Sequence, residues 1–142
     1  MKQYLLSSVL ALLLLAGCGA VPQSIPEGLD WRAQSLQSGE NGEILAAYDQ
    51  QDVPPLDVTA QVEDNVVTLT DHAAGETYTG TLYPAEDAAP NSQVYTLAFP
   101  DQPEGYGVYG VTEYADGNRD ATLYLTMEGQ TLRLTAPLNV GT

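Results

Sequence analysis

His72 is the only histidine in the chain, and Asp71 beside it with Glu76 close by would supply ligands for a metal or a relay for a proton. One imidazole with loop carboxylates falls short of the several N or S ligands of a closed zinc site, so the trio reads as a solvated turn and no metal is expected there. Asp116-Gly117-Asn118-Arg119-Asp120 places oxygen donors at alternate positions, as calcium loops do. The sixth and twelfth positions of such a loop want Gly and Glu, where this chain has Ala121 and Met127. A hairpin turn with Gly117 at positive φ uses the same letters. Ser24, Ser35, Ser38 and Ser92 lack a glycine-framed elbow, and His72 has no evident serine or cysteine partner. Gly105, Gly107 and Gly110 fall within a predicted strand and open no helix, so no phosphate-cradling loop is present. Carboxylates are abundant, but no spacing singles out an acid for catalysis. The residues therefore predict no enzyme and no cofactor, and leave the tyrosines as the side chains best suited to contact.

The elements that carry these side chains are strands. Leu56, Val58, Ala60 and Val62 alternate with Asp57, Thr59 and Gln61, the period of two expected of a half-buried strand. Asp64-Asn65 then turns the chain into Val67 and Leu69, a predicted hairpin. Glu76 to Tyr83 is a further strand ended by Pro84, with Gly80 marking a bulge or a close approach. Gln93 to Phe99 presents Tyr95, Leu97 and Phe99 on one face. Tyr106 to Tyr114 resumes after Pro100 and Pro103, with Val108 and Val111 on opposite faces, so this strand is either sandwiched or interrupted by a bulge at Gly107 or Gly110. Asp116-Gly117 and Glu128-Gly129-Gln130 bracket Leu123, Leu125 and Met127, and Leu132 and Leu134 follow. Trp31 to Leu36 and Ile44 to Tyr48 form a first hairpin, with helix left open for the second arm by Ala46 and Ala47.

Eight or nine short strands joined mostly by tight turns predict an all-β fold, a small antiparallel up-and-down barrel of about eight strands and lipocalin-like size. Closure would remove the edges that invite aggregation. A two-sheet β-sandwich is the alternative, because alternation does not separate a closed meander from a folded-over one. In a barrel the small residues Ala60, Gly80, Ala98 and Gly110 would point inward among Tyr78, Tyr95 and Tyr106. That mixture predicts an apolar pocket at one end, rimmed by those three tyrosines and within the about 300 to 1,000 Å³ usual for ligand sites. The alternative is ordinary sheet packing, since aromatic residues favour strands.

Lys2 followed by the apolar run Leu5 to Leu15 is too short to span a bilayer, which needs about 20 residues, and reads as a processed signal. Its end, Leu15-Ala16-Gly17-Cys18, resembles the lipobox of bacterial lipoproteins. The resemblance implies a diacylglyceryl group on the Cys18 thiol and cleavage that leaves Cys18 as the mature N-terminus. It divides the chain into a signal at 1–17, a lipidated cysteine and flexible tether at 18–30 carrying Pro22, Pro26 and Gly28, and a single barrel domain at 31–142. Gly19 is not the aspartate that retains lipoproteins on the inner membrane. The expectation is therefore the outer membrane in a host that has one, and otherwise the outer face of the plasma membrane. Cys18 is the only cysteine, so no disulfide can staple the domain.

The 19 carboxylates all follow the signal and are opposed there only by Arg32, Arg119 and Arg133, within a formal net charge of −15 for the whole chain. Such a chain repels polyanions, which excludes nucleic acid and electrostatic adsorption on anionic lipid. Membrane contact is left to the lipid anchor. Tyr78-Thr79-Gly80-Thr81-Leu82-Tyr83-Pro84 is similar to the Gly-Thr-Leu-Pro stretch of copper-homeostasis lipoproteins with a small lipocalin-like N-terminal barrel. That family follows its proline with a Cys-x-x-Cys pair, absent here, so only the fold is implied. The resulting expectation is a monomeric, non-enzymatic module of the cell envelope that binds a small ligand or another envelope protein. An accessory lipoprotein without a ligand is the alternative, and an extracytoplasmic hydrolase the third.

Overall fold

The computed structural model describes residues 25–84 and 93–138, and all regular structure in them is β. Nine strands follow in order: β1 (Trp31–Ser38), β2 (Ile44–Ala47), β3 (Val58–Glu63), β4 (Val66–Asp71), β5 (Glu76–Pro84), β6 (Val94–Ala98), β7 (Gly105–Glu113), β8 (Arg119–Met127) and β9 (Gln130–Pro137). From β3 to β9 each strand pairs antiparallel with the next. β9 then pairs with β1 from Arg32↔Thr135 to Ser38↔Gln130, and β1 pairs with β3 through Trp31↔Ala60 and Arg32↔Thr59. These pairings close an eight-stranded up-and-down barrel and exclude the sandwich.

Turn chemistry sets the register of its hairpins. Asp64 and Asn65 both take positive φ, 55° and 63°, as do Glu128 and Gly129 at 50° and 79°. Two consecutive left-handed residues make a turn whose twist matches the flanking strands. The closing strand is the irregular one. β1 shifts register against β9 between Ala33 and Ser35, and it exchanges β3 for the short strand β2 at Ser35↔Ala47 to Gln37↔Ile44. The segment left open between helix and strand is thus strand. It fills the seam where β1 and β3 diverge, and Leu56 N–H donates to the Ala47 carbonyl at 3.1 Å to tie the following loop. Neither Gly107 nor Gly110 forms a bulge: β7 runs in continuous register against β8, and Val111 is exposed because β7 has by then outrun β6.

The two ends of the barrel differ. Trp31, Ala33, Ala60, Val62, Val67, Leu82, Tyr95, Tyr109, Ala121, Leu123, Leu134 and Ala136 form a buried cluster toward the end where β1 begins and β9 finishes. Alanines on the facing strands leave the room that Trp31, only 1% exposed, and the two tyrosines fill. Ile25 is 3% exposed in that cluster, with Leu29 packed against it. The Glu27 carboxylate accepts the Asp64 N–H at 2.6 Å, so the chain before β1 crosses this end as a plug. The expected tether at 18–30 is corrected accordingly, because 25–30 belongs to the folded barrel. Two apolar residues four apart in a segment without alternation carry no strand signal, and their burial follows from lying over an uncovered barrel end. The remainder of that tether and Cys18 lie outside the described residues.

Candidate functional site

At the opposite end the barrel is hollow. β1, β4, β6 and β8 finish there and β3, β5, β7 and β9 start, around an open-mouthed cavity of about 590 Å³. Its wall is mainly aliphatic: Leu36, Leu56, Val58, Leu69, Leu97, Leu125 and Leu132, with Phe99 and Met127. All but Leu36 follow from the period of two, which points these positions inward, and Leu36 joins them because the register shift between Ala33 and Ser35 resets the phase of β1. The polar lining is Asp71, Tyr78, Gln102, Glu128 and Gln130.

Glycines and Phe99 shape the floor. A Cβ at Gly80 would stand 2.8 Å from the Phe99 ring, so the ring packs on bare backbone across the barrel wall. A Cβ at Gly107 would stand 2.9 Å from Leu82 and 3.3 Å from Leu125, whose side chains occupy that space and separate the cavity from the core. The close approach expected at Gly80 is thus a side chain over the strand, with β4 and β5 in unbroken register.

Carboxylates occupy the rim. Asp71 Oδ1 accepts the N–H groups of Ala73 and Ala74 at 3.1 and 3.2 Å, which fixes it at the head of the β4–β5 turn. The Tyr78 hydroxyl donates to Glu76. This bond raises the phenol above its ordinary pKa of 10.0, and desolvation and the charges of Glu76 and Asp71 push the same way. Glu128 takes a left-handed conformation, φ 50°, at a turn position where Asn, Asp or Gly is usual. An αL residue with a long side chain costs about 1 kcal/mol, and here it delivers a carboxylate to the mouth.

Of the three tyrosines expected at the rim, only Tyr78 lines the cavity. Tyr95 points inward but into the closed half, beside Tyr109, and burial raises both phenols. Tyr106 is 59% exposed on the outer wall, where its backbone partners are Thr96 and Thr126. Ala98 and Gly110 likewise fall on the outward phase, because buried Leu97 and Tyr109 next to them take the inward one. Tyr-Gly-Val-Tyr-Gly offers the same residue types to both faces, so its inward phase is set by the neighbouring strands and not by its own pattern. The aliphatic lining was legible as inward-facing, but nothing in the alternation separates a wall that bounds a cavity from one that bounds a packed core.

The remaining candidates stand apart from the cavity lining. His72 Nε2 lies 2.8 Å from Thr59 Oγ1 and is exposed. Asp116 Oδ1 accepts the Asn118 N–H at 2.9 Å within a turn that closes on Gly117 at φ 90°. Among the described residues no three His, Cys, Asp or Glu side chains gather as a metal site. Compared with protein-family models, curated proteins and solved structures, the chain matches none.

Proposed function

We propose that this chain is a lipid-anchored, extracytoplasmic, non-enzymatic barrel that binds a small apolar molecule in the mouth cavity. The observation that carries the reading is the cavity itself, about 590 Å³ with a mainly aliphatic wall, set against the buried cluster that fills the other end. That volume falls within the range of small-molecule sites, and an apolar ligand placed there leaves water for surroundings resembling a core. The Leu15-Ala16-Gly17-Cys18 box supports the anchor. Ile25, which plugs the closed end, lies seven residues beyond Cys18, a span of at most about 25 Å.

Every described core residue lies between Ile25 and Leu138, so the unlipidated mature chain from Cys18 onward carries all nine strands. Titrated with the neutral dye N-phenyl-1-naphthylamine, it should enhance the dye's fluorescence with a Kd of about micromolar order. Leu132→Trp, which places an indole in the cavity, should abolish the enhancement while the variant stays folded. A folded wild-type protein that leaves the dye unaffected overturns the reading.

The outer wall favours a second reading, contact with an envelope protein. Tyr83, Val94, Tyr106, Val108 and Tyr124 are exposed on the adjacent strands β5 to β8. A photocrosslinker at position 106 should then yield one discrete adduct in cells, which Val108→Asp removes.

A further inference from the structure

We propose that the cavity selects an apolar cation, an alkyl or aryl body carrying an ammonium-type head, and rejects fatty carboxylates and phosphates. The inference rests on the reading of the cavity as a ligand site and names the class of ligand. The charged side chains among the described lining residues are two carboxylates, Asp71 and Glu128, with no lysine, arginine or histidine. Asp71 ends β4 at the head of the β4–β5 turn and Glu128 lies in the β8–β9 turn, so both sides of the mouth present negative charge.

Glu76 adds a third carboxylate through Tyr78, a lining residue whose pKa is raised first by this hydrogen bond and then by desolvation and the charges of Glu76 and Asp71. An aromatic face beside carboxylates suits a poorly hydrated ammonium head. The arginines do not offset this field. Arg32 lies on the outer wall, 3.1 Å from Asp57 and 4.4 Å from the centre of the Tyr48 ring. Arg133 falls between inward Leu132 and Leu134 and so faces outward, while Arg119 opens β8 at the closed end. An anionic head at the mouth would face carboxylates on both sides without a counter-charge, whereas a cationic one would be attracted by both and drawn there by the excess of 19 acidic over four basic residues.

Three ligands with the same eight-carbon tail test this on the unlipidated mature chain: octyltrimethylammonium, 1-octanol and octanoate, each displacing N-phenyl-1-naphthylamine at low salt. The ammonium should bind about tenfold tighter than the alcohol and octanoate about tenfold weaker. Asp71→Asn with Glu128→Gln should bring all three within about twofold while dye binding is retained, since Asn can still accept the turn's N–H groups. Added salt should erode the ammonium's advantage in the wild type. Octanoate binding as tightly as the ammonium, or an ammonium advantage that survives the double variant, overturns the charge selection and leaves the cavity reading standing. Failure of the dye and all three ligands to bind overturns both.

Discussion

The Phe99 ring rests on Gly80, with three ring carbons within 2.9 Å of where a β-carbon of residue 80 would sit. This contact joins an inward residue after β6, itself part of the cavity lining, to the middle of β5. Gly80→Ala must displace the ring. The expected cost is about 1 to 2 kcal/mol in urea unfolding, an overpacking penalty partly offset by reduced freedom of the unfolded chain. Affinity for an apolar probe should fall with it, and a variant of unchanged stability and binding would show that the ring has room to spare.

Two further glycines should respond in a fixed order. A Cβ at Gly105 would lie 2.0 Å from the Thr126 carbonyl oxygen, which is backbone, whereas one at Gly107 would first meet the end of Leu82 at 2.9 Å. Side chains can turn aside and a paired strand cannot. Gly105→Ala should therefore cost more than Gly107→Ala, about 3 kcal/mol against about 1 to 2, compared by denaturant midpoints at constant m.

Truncations at two successive inward positions of β9 should separate stability from binding. Leu134 is fully buried in the closed half, and its replacement by Ala should cost about 2 to 5 kcal/mol with dye affinity unchanged in whatever fraction stays folded. Leu132 already borders empty space, so Leu132→Ala should cost about 1 kcal/mol yet alter binding, as calorimetry and dye titration on the same samples would reveal.

Stability should decline in alkali. Burial raises Tyr95 and Tyr109 above the ordinary 10.0, with Tyr109 raised further by Tyr95 and lowered in part by Arg119. The unfolded chain then releases these phenolic protons first, so their contribution is complete below about pH 10 and is lost as pH rises through the folded values. Tyr95→Phe should flatten the fall of melting temperature with pH above 10. An unchanged slope would mean that Tyr95 ionises freely in the folded barrel.

Cys18→Ala is expected to block lipid labelling and leave unprocessed precursor, because a chain with 19 acidic and four basic residues has no electrostatic hold on anionic membranes. Metabolic labelling with palmitate and membrane fractionation would check it. Normal processing of the variant would remove the lipoprotein assignment.

Most of the strand pattern was legible because each hairpin carries its own local instructions. Asp64-Asn65 and Glu128-Gly129 specify tight turns, and Val58-Ala60-Val62 declares its inward face without outside help. Reading weakened where local signals conflict or fall silent. β2, Ile-Leu-Ala-Ala, is strand because β1 offers it an edge, and Ile25 is core because a barrel end needs covering.

By itself, the order of apolar and polar residues determined a meander of about eight strands, its turns and its acidity, since these depend on neighbours in the chain. Tertiary structure alone decided three things. The β1–β9 pairing, joining the first strand to the last, made the meander a barrel. The neighbours of β7 turned Tyr106 outward and Tyr109 inward although the strand offers tyrosine to both faces. The hollow lies at the mouth and not at the plugged end, because cavities are set by how side-chain volumes from distant strands sum at one level of the barrel, a quantity no stretch of sequence contains.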